Sequence, residues 1–264
     1  MRTYCVGDIH GRADLLIKAL AIATEDNAKK SYGVNSIRET LEPSLHSPVE
    51  ESRFICTGDM IDRGPESAEI IKFFRNGRIG PLHLIALQGN HESMMVEVLS
   101  RNPVLPHQYQ WWGGNGGRST LMSYGYDYYE VTNYECPPLK FQVIDDVKWL
   151  ASLPTFFTDD PYRIYVHGGM MSGLSLEEQD KGVCQWLRSD KVTDYGWNGL
   201  HVVHGHEQWE DGPILLNNRT NLDTYAWRTG RLAIGVFDDD VPGGPIEILW
   251  AEGPSWQTSN SNKY

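Results

Sequence analysis

No apolar run in this chain approaches the roughly 18 residues that a membrane-spanning helix needs. Basic residues are in deficit: 23 Lys and Arg stand against 35 Asp and Glu, a net charge of −12. That balance argues against a general binder of nucleic-acid backbones, which needs a basic surface to displace counterions, and against a reader of anionic membranes. Cysteine is scarce. Cys5, Cys56, Cys136 and Cys184 form no C-x-x-C pair, which disfavours a zinc ribbon or a thioredoxin-type site. Cys5 and Cys56 sit inside apolar runs and read as buried thiols, so a reducing, cytoplasmic setting is expected. The opening MRTYCVGDIHG lacks signal-peptide architecture and enters a strand directly. Hydrophobic residues make up 40% and charged residues 22%, which is ordinary globular usage and excludes wholesale disorder. With 264 residues and no visible repeat or linker, one domain over residues 1–256 is expected, followed by a flexible polar tail at 257–264.

Strand and helix patterns alternate. Residues 3–6 are short and apolar; residues 13–23 then place Leu15, Leu16, Ala19, Leu20 and Ile22 at helical spacing. Residues 53–56 and 83–87 repeat the strand pattern, and helical stretches at 67–74 and 92–99 follow them. Strand, glycine turn and helix in succession predict an α/β sheet whose loops gather at one edge. Residues 31–51 are polar and irregular, long for a connection, and read as a surface excursion. Residues 101–138 are rich in Gly, Tyr, Trp and Asn, include WWGGNGG at 111–117, and show no clear period. Strands return at 163–166, 200–203, 213–216, 232–237 and 246–251, the last of them suited to antiparallel pairing across the short polar turn at 238–244.

The strand ends carry the chemistry. Five segments follow apolar strands: Gly7-Asp8-Ile9-His10-Gly11, Gly58-Asp59-Met60-Ile61-Asp62-Arg63-Gly64, Gly89-Asn90-His91-Glu92, His167-Gly168-Gly169 and His204-Gly205-His206. Carboxylate, imidazole and amide are ligands for divalent ions such as Mn, Fe, Zn or Co, and the absence of cysteine among them argues against a closed structural zinc site. A glycine beside each ligand permits a tight turn and close approach of backbone to ions and phosphate. One Asp-x-His in a loop is usually a polar turn; five such segments, each after a strand, are hard to obtain by chance.

These segments resemble the signature of the calcineurin-like metallophosphoesterases. The GDIHG, GDMIDRG and GNHE forms are similar to the phosphoprotein phosphatase branch with its lambda-type bacterial and phage serine/threonine phosphatases. The likeness extends over about residues 3–249 and includes Asn115-Gly116-Gly117, Trp186-Leu187-Arg188 and Leu222-Asp223-Thr224. It implies two mixed β-sheets in a central sandwich flanked by helices. It also implies a dinuclear centre of two divalent ions, Mn²⁺ foremost, with Fe, Zn, Co or Ni as alternatives. In that centre Asp8, His10 and His206 hold one ion, Asn90 and His167 hold the other, and Asp59 bridges them. His204 is a further candidate for the second ion. A hydroxide bridging the ions attacks phosphorus in line, with no covalent phosphoenzyme. His91 protonates the leaving oxygen, Asp62 fixes its tautomer, and Arg63 and Arg188 clamp the phosphate.

Each role has a plainer rival. Asp62 and Arg63 also suit a salt-bridged helix start, and Arg188 a solvated cation. Asp223 suits a turn as well as it suits orienting His91 or a ligand. Glu92 opens a helix, where a carboxylate meets the positive end, and reads as structural. Trp111 and Trp112 suit packing under a loop more often than a substrate wall, Met94 and Met95 suit helix core, and His83, His107 and His201 fall outside the motifs. Gln88 stands where the resemblance expects an arginine before GNHE, which removes one cation from the phosphate side. The leading expectation is a metal-dependent phosphatase of phosphoserine or phosphothreonine in proteins, or of small phosphate esters. The alternative is a symmetrical diadenosine tetraphosphatase or related nucleotide hydrolase, with the aromatic segment 109–129 as its base pocket. A catalytically silent scaffold is disfavoured by the completeness of the ligand set.

Overall fold

The computed structural model describes residues 1–31, 50–189 and 193–255. Most of the excursion expected at 31–51, and the tail expected at 257–264, lie outside the described residues. The fold is α/β, with two mixed sheets and helices on their outer faces.

The first sheet is built around β1 (Arg2–Val6), β2 (Ser52–Cys56) and β4 (Leu82–Ala86), which run parallel. On one side β10 (Arg231–Asp238) joins β1 antiparallel and β11 (Glu247–Glu252) joins β10 antiparallel; on the other, β3 (Arg78–Ile79) closes the edge. The second sheet has β6 (Arg163–Val166), β7 (His201–His204) and β9 (Arg219–Asn221) parallel, with β5 (Phe156–Phe157) and β8 (Ile214–Leu215) antiparallel at its edges.

The period of two along each strand sorts the core into layers. Cys5, Ile55 and Phe237 of the first sheet meet Tyr165 and Val203 of the second in the space between the sheets. The alternate residues Tyr4, Val6, Phe54 and Cys56 face outward. They pack under α1 (Ala13–Ser31), α2 (Ser67–Asn76) and α3 (Asn90–Leu99), where Met94 and Met95 are core. Ile164, Val166 and Val202 face the other way, onto Cys184 of α8 (Lys181–Trp186) and onto Trp197. Cys5 and Cys56 are buried free thiols.

The stretch without a readable period is helical. It holds α4 (Pro106–Trp112), a π-turn at Gly113–Gly117, α5 (Arg118–Ser123) and α6 (Tyr128–Thr132). The helices are short, and their pattern is broken by glycines that serve close contacts. A β-carbon at Gly117 would enter the Trp112 indole, and Gly116, at φ 111°, lies against the Arg63 backbone. Two further helices carry no expectation from the sequence reading, α7 (Phe141–Ala151) and α8. α9 (Ala226–Thr229) is a single turn before β10.

Candidate active site

All five motif segments follow parallel strands, three in the first sheet and two in the second, and their loops converge. Asp59 is the meeting point. Its Oδ1 lies 3.3 Å from His167 Nε2, and its Oδ2 lies 3.6 Å from His10 Nε2 and 3.8 Å from His91 Nε2. Two groups of ligand atoms result, His10–Asp59–His91 and Asp59–His167–His206, each with its atoms within 4.8 Å of one another and every residue buried. Asp8 Oδ2 stands 3.7 Å from His10 Nε2, and Asn90 Oδ1 stands 2.9 Å from His167 Nε2. The structure therefore brings Asp8, His10, Asp59, Asn90, His167 and His206 together.

One detail differs from the expected arrangement. His206 joins the His167 side of Asp59, not the Asp8 and His10 side. Only its backbone N–H turns to Asp8, donating to Oδ1 at 2.9 Å. A positive φ of 66° carries the ring away, to pack edge-on against His167 at 5.0 Å and Trp186 at 6.0 Å.

The donor set suits divalent ions. His10 Nδ1 donates to the Ile61 carbonyl at 2.8 Å, which leaves Nε2 as a lone-pair donor aimed at the centre. His10 Nε2 and His206 Nε2 are buried without a hydrogen-bond partner, a condition that costs free energy unless something else is bound there. Burial, followed by the nearby Arg63 charge, pushes His10 well below its ordinary pKa, and burial and His167 push His206 down to about 3. Both rings are thus held neutral, the form that binds metal. Burial opposes ionisation of Asp59, but His167 and His91, foremost, outweigh it and hold the carboxyl well below its usual range.

His91 sits at the edge of this cluster. Its Nδ1 meets Asp62 Oδ2 at 2.7 Å, and its Nε2 faces Arg63 Nη2 at 3.2 Å. Burial works against the imidazolium, yet Asp59 and Asp62 together raise its pKa above the ordinary value. Asp62 is wholly buried and its carboxylate is well supplied with donors: the Trp112 indole N–H reaches Oδ2 at 3.0 Å and the Thr120 hydroxyl reaches Oδ1 at 2.6 Å. Trp112 is therefore packed beneath the loop, with a polar task as well, while its neighbour Trp111 is 46% exposed.

Trp112→Phe keeps the apolar ring but takes one donor from the buried Asp62. Loss of a hydrogen bond to a charged group costs about 1.5–3 kcal/mol. We expect kcat to fall roughly ten-fold with metal content unchanged; a lower melting temperature with normal kcat would mean that the indole only packs.

Glu92 ties the loops to each other. Its carboxylate accepts the backbone N–H groups of Asp59, Met60 and Gly89 at 2.8 Å and of Ile61 at 3.3 Å. The approach is close enough that a β-carbon at Gly89 would collide with Asp59 Oδ1. The backbone here is also strained. Among the described residues, the non-glycine positions at positive φ are His10, Asp59, Asp62, Arg63, Asn198, His206 and Tyr225, and all but Asn198 lie at or beside this cluster. Such conformations persist only where the surroundings over-determine them, and they concentrate at functional sites.

Other candidates fall elsewhere. Arg188 is exposed, although its charge is felt at His206. Gln88 does not face the cluster: its side chain donates to the Leu150 carbonyl at 2.8 Å and accepts from Gln185 at 2.9 Å, bridging two helices. His204 turns away, with Nδ1 at 2.9 Å from the Gly205 carbonyl and Nε2 towards buried Arg219. Burial and Arg219 push His204 down to about 3, and it joins neither ligand group. Asp223 is buried beside Asp8. Its Oδ1 accepts the Tyr225 N–H at 2.9 Å and its Oδ2 has no donor, and burial pushes its pKa up to about 6. His83 meets Glu51 at 3.1 Å, His107 is exposed, and His201 is held by the Asn217 carbonyl and the Thr220 hydroxyl.

The family model for calcineurin-like phosphoesterases matches residues 1–231. Symmetrical bis(5′-nucleosyl)-tetraphosphatases of Yersinia pestis and Yersinia pseudotuberculosis are 30% identical over 105 residues, which is 39% of this chain and 28% of each relative. The match thus spans under a third of those relatives' length. Among solved structures, a protein described provisionally as a diadenosine tetraphosphatase superposes with TM-score 0.52 at 16% identity, covering 96% of this chain and 93% of the other. A metallophosphoesterase from Sphaerobacter thermophilus superposes with TM-score 0.50 at 15% identity, covering 97% and 90%. These structures share the fold.

Proposed function

The chain belongs to the calcineurin-like phosphoesterase family; from that premise we propose that it hydrolyses phosphoric esters with two divalent ions that share Asp59. The observation that carries this is the position of Asp59 between two histidine groups. Asp8, His10 and Asp59 would hold one ion; Asp59, Asn90, His167 and His206 would hold the other. Two such ions, when bound, acidify a water for in-line attack on phosphorus and neutralise the phosphoryl oxygens.

The chain's own residues do the rest. Asp62 accepts the Nδ1–H hydrogen bond of His91 and so aims Nε2 at the centre, 3.8 Å from Asp59 Oδ2. His91 then delivers a proton to the leaving oxygen, and the neighbouring carboxylates keep that proton available. Arg63, half-buried and 3.2 Å from His91, offers its guanidinium fork to phosphoryl oxygens. Arg188 approaches from the solvent side. Arg188→Ala should raise KM for phosphate esters several-fold with little change in kcat, since it removes binding made in ground and transition states alike. An unchanged KM would make Arg188 a solvated cation.

Two substrate classes fit this centre. A phosphoserine or phosphothreonine side chain is supported by the motif forms GDMIDRG and GNHE. A dinucleoside tetraphosphate is supported by the 30% identity to tetraphosphatases and by the aromatic residues that flank the centre, Trp186 and Trp227. Initial rates on a phosphoserine peptide and on diadenosine tetraphosphate, side by side after chelation and after reloading with Mn²⁺, test both levels. Activity that survives complete chelation overturns the two-ion reading, and the larger rate selects the substrate class.

A further inference from the structure

We infer that Tyr225 and Trp227 form a base-stacking ledge on the leaving-group side of the centre, so that the protein selects nucleoside polyphosphates over simple phosphate esters. This rests on the dinucleotide reading given above and adds to it the residues that recognise the base.

A chain of contacts leads outward from His91. Its Nε2 lies 3.2 Å from Arg63 Nη2. The Arg63 guanidinium carbon stands 5.7 Å from the Trp227 ring. Trp227 meets Tyr225 edge-on at 5.3 Å, with the rings 89° apart. Arg228 lies over Tyr225 at 5.5 Å and is itself largely exposed. Two cations, Arg63 and Arg228, thus bracket an edge-on Trp227–Tyr225 pair on the way from the candidate acid out to solvent. Arg63 Nη1 and Trp227 Nε1 are buried donors without an acceptor, so this path has hydrogen-bonding capacity left over for a ligand.

The order of these groups decides the ligand. In an aryl phosphate or phosphotyrosine the ring is bonded to the scissile oxygen, so it would lie at His91 itself. Here a guanidinium comes between the acid and the first aromatic face. With Nη2 turned to His91 and Nη1 unpartnered, Arg63 can serve the scissile phosphoryl group and a further anionic group together, and beyond it a planar group meets the ledge. A nucleoside polyphosphate has that order: further phosphate, then ribose, then base. Stacking on aromatic faces is tolerant of base identity, because every base has a π-face.

The ledge is held in place deliberately. Tyr225 adopts φ 57° and ψ 39°, a left-handed conformation that a bulky side chain rarely takes. Its N–H donates to Asp223 at 2.9 Å, and its carbonyl accepts from Arg228 and Thr229 at 2.9 and 3.0 Å. Arg12, from the first motif loop, donates to the carbonyls of Ala226 and Trp227. Of the segment expected to supply a base pocket, Tyr109, Trp112 and Tyr126 are buried in the helical core, while Trp111, Tyr128 and Tyr129 are exposed.

The test compares wild type with Tyr225→Gly and Trp227→Leu. Glycine suits the left-handed backbone, so Tyr225→Gly removes the ring without the fold at stake even if Trp227→Leu proves unstable. Equilibrium binding of adenosine 5′-diphosphate and of inorganic pyrophosphate is measured by calorimetry. Kinetics with the Mn²⁺-loaded proteins use diadenosine tetraphosphate and p-nitrophenyl phosphate. We expect the variants to weaken adenosine 5′-diphosphate roughly ten-fold, the scale of one lost base stack, with pyrophosphate unaffected. KM for the dinucleotide should rise in step, with kcat preserved and p-nitrophenyl phosphate kinetics unchanged. Equal losses for pyrophosphate or p-nitrophenyl phosphate, or unchanged diphosphate binding, overturn the ledge. If wild type fails to hydrolyse the dinucleotide yet binds the diphosphate in a ledge-dependent way, the ledge stands and the dinucleotide reading falls.

Discussion

Asp59→Asn is expected to lose turnover and metal together. The carboxylate lies between two histidine groups and is their one shared member. Two dications placed side by side repel each other strongly, and an anion between them offsets that repulsion in a buried setting where charge is poorly screened. A neutral amide has nearly the same shape but not that charge. Loss of a single electrostatic stabiliser commonly costs about 10²–10³ in kcat, and Asp59 serves both groups, so the fall should exceed about 10³-fold. Metal per protein chain, measured by elemental analysis after dialysis, should drop from two towards one or none. Near-normal activity with full metal content would refute the bridging assignment.

His91→Ala should behave differently, and the difference is diagnostic. A general acid contributes about 10²–10⁴-fold, most where the leaving oxygen is a poor leaving group. The variant should therefore fail on alkyl phosphate esters while keeping much of its rate on p-nitrophenyl phosphate. Metal content should stay at the wild-type level. His91 also lies within ligand distance of His10 and Asp59, so a loss of metal in the variant would assign it as a ligand. An equal loss of rate on both esters would likewise remove the proton-donor role. Asp62→Asn should reproduce the leaving-group dependence more weakly, because the amide still accepts a hydrogen bond yet no longer favours the imidazolium.

Both experiments address residues that were visible in the sequence, because each stands at a strand end in a recurring glycine-led segment. What that pattern could not show is which way a side chain turns. His206 is two residues from His204, and nothing local predicts that one ring meets His167 while the other turns back to its own backbone and Arg219. The donors that hold Asp62 were equally hidden, since Trp112 and Thr120 come from 50 and 58 residues away. The missed elements have a common cause. Along α7, Val143, Val147 and Leu150 keep helical spacing, but Asp146 is buried among them and hides the apolar face. Its carboxylate is paired with Arg75 and accepts the Tyr124 hydroxyl, partners that no window of sequence reveals. The strand β9 reads Arg-Thr-Asn and is fully buried. Its polar side chains are met by Glu207, which pairs with Arg219 and whose carbonyl accepts from Asn221, and by His201, which meets the Thr220 hydroxyl. Hydropathy is blind to a strand of that kind, and strand periodicity needs more than three residues to register.

The cross-tie made by Glu92 bears on how the centre fills and empties. One buried carboxylate fastens four backbone amides from two loops, and every partner in this tie belongs to the chain itself. The cradle is therefore expected to stay formed in the metal-free chain. Ions would arrive and leave as solutes exchanging on a rigid template, with no refolding step in between. Those four amides should resist hydrogen–deuterium exchange in chelated protein nearly as well as in loaded protein. Which metal the protein carries would accordingly follow the supply of ions around it more than any selection exerted while it folds.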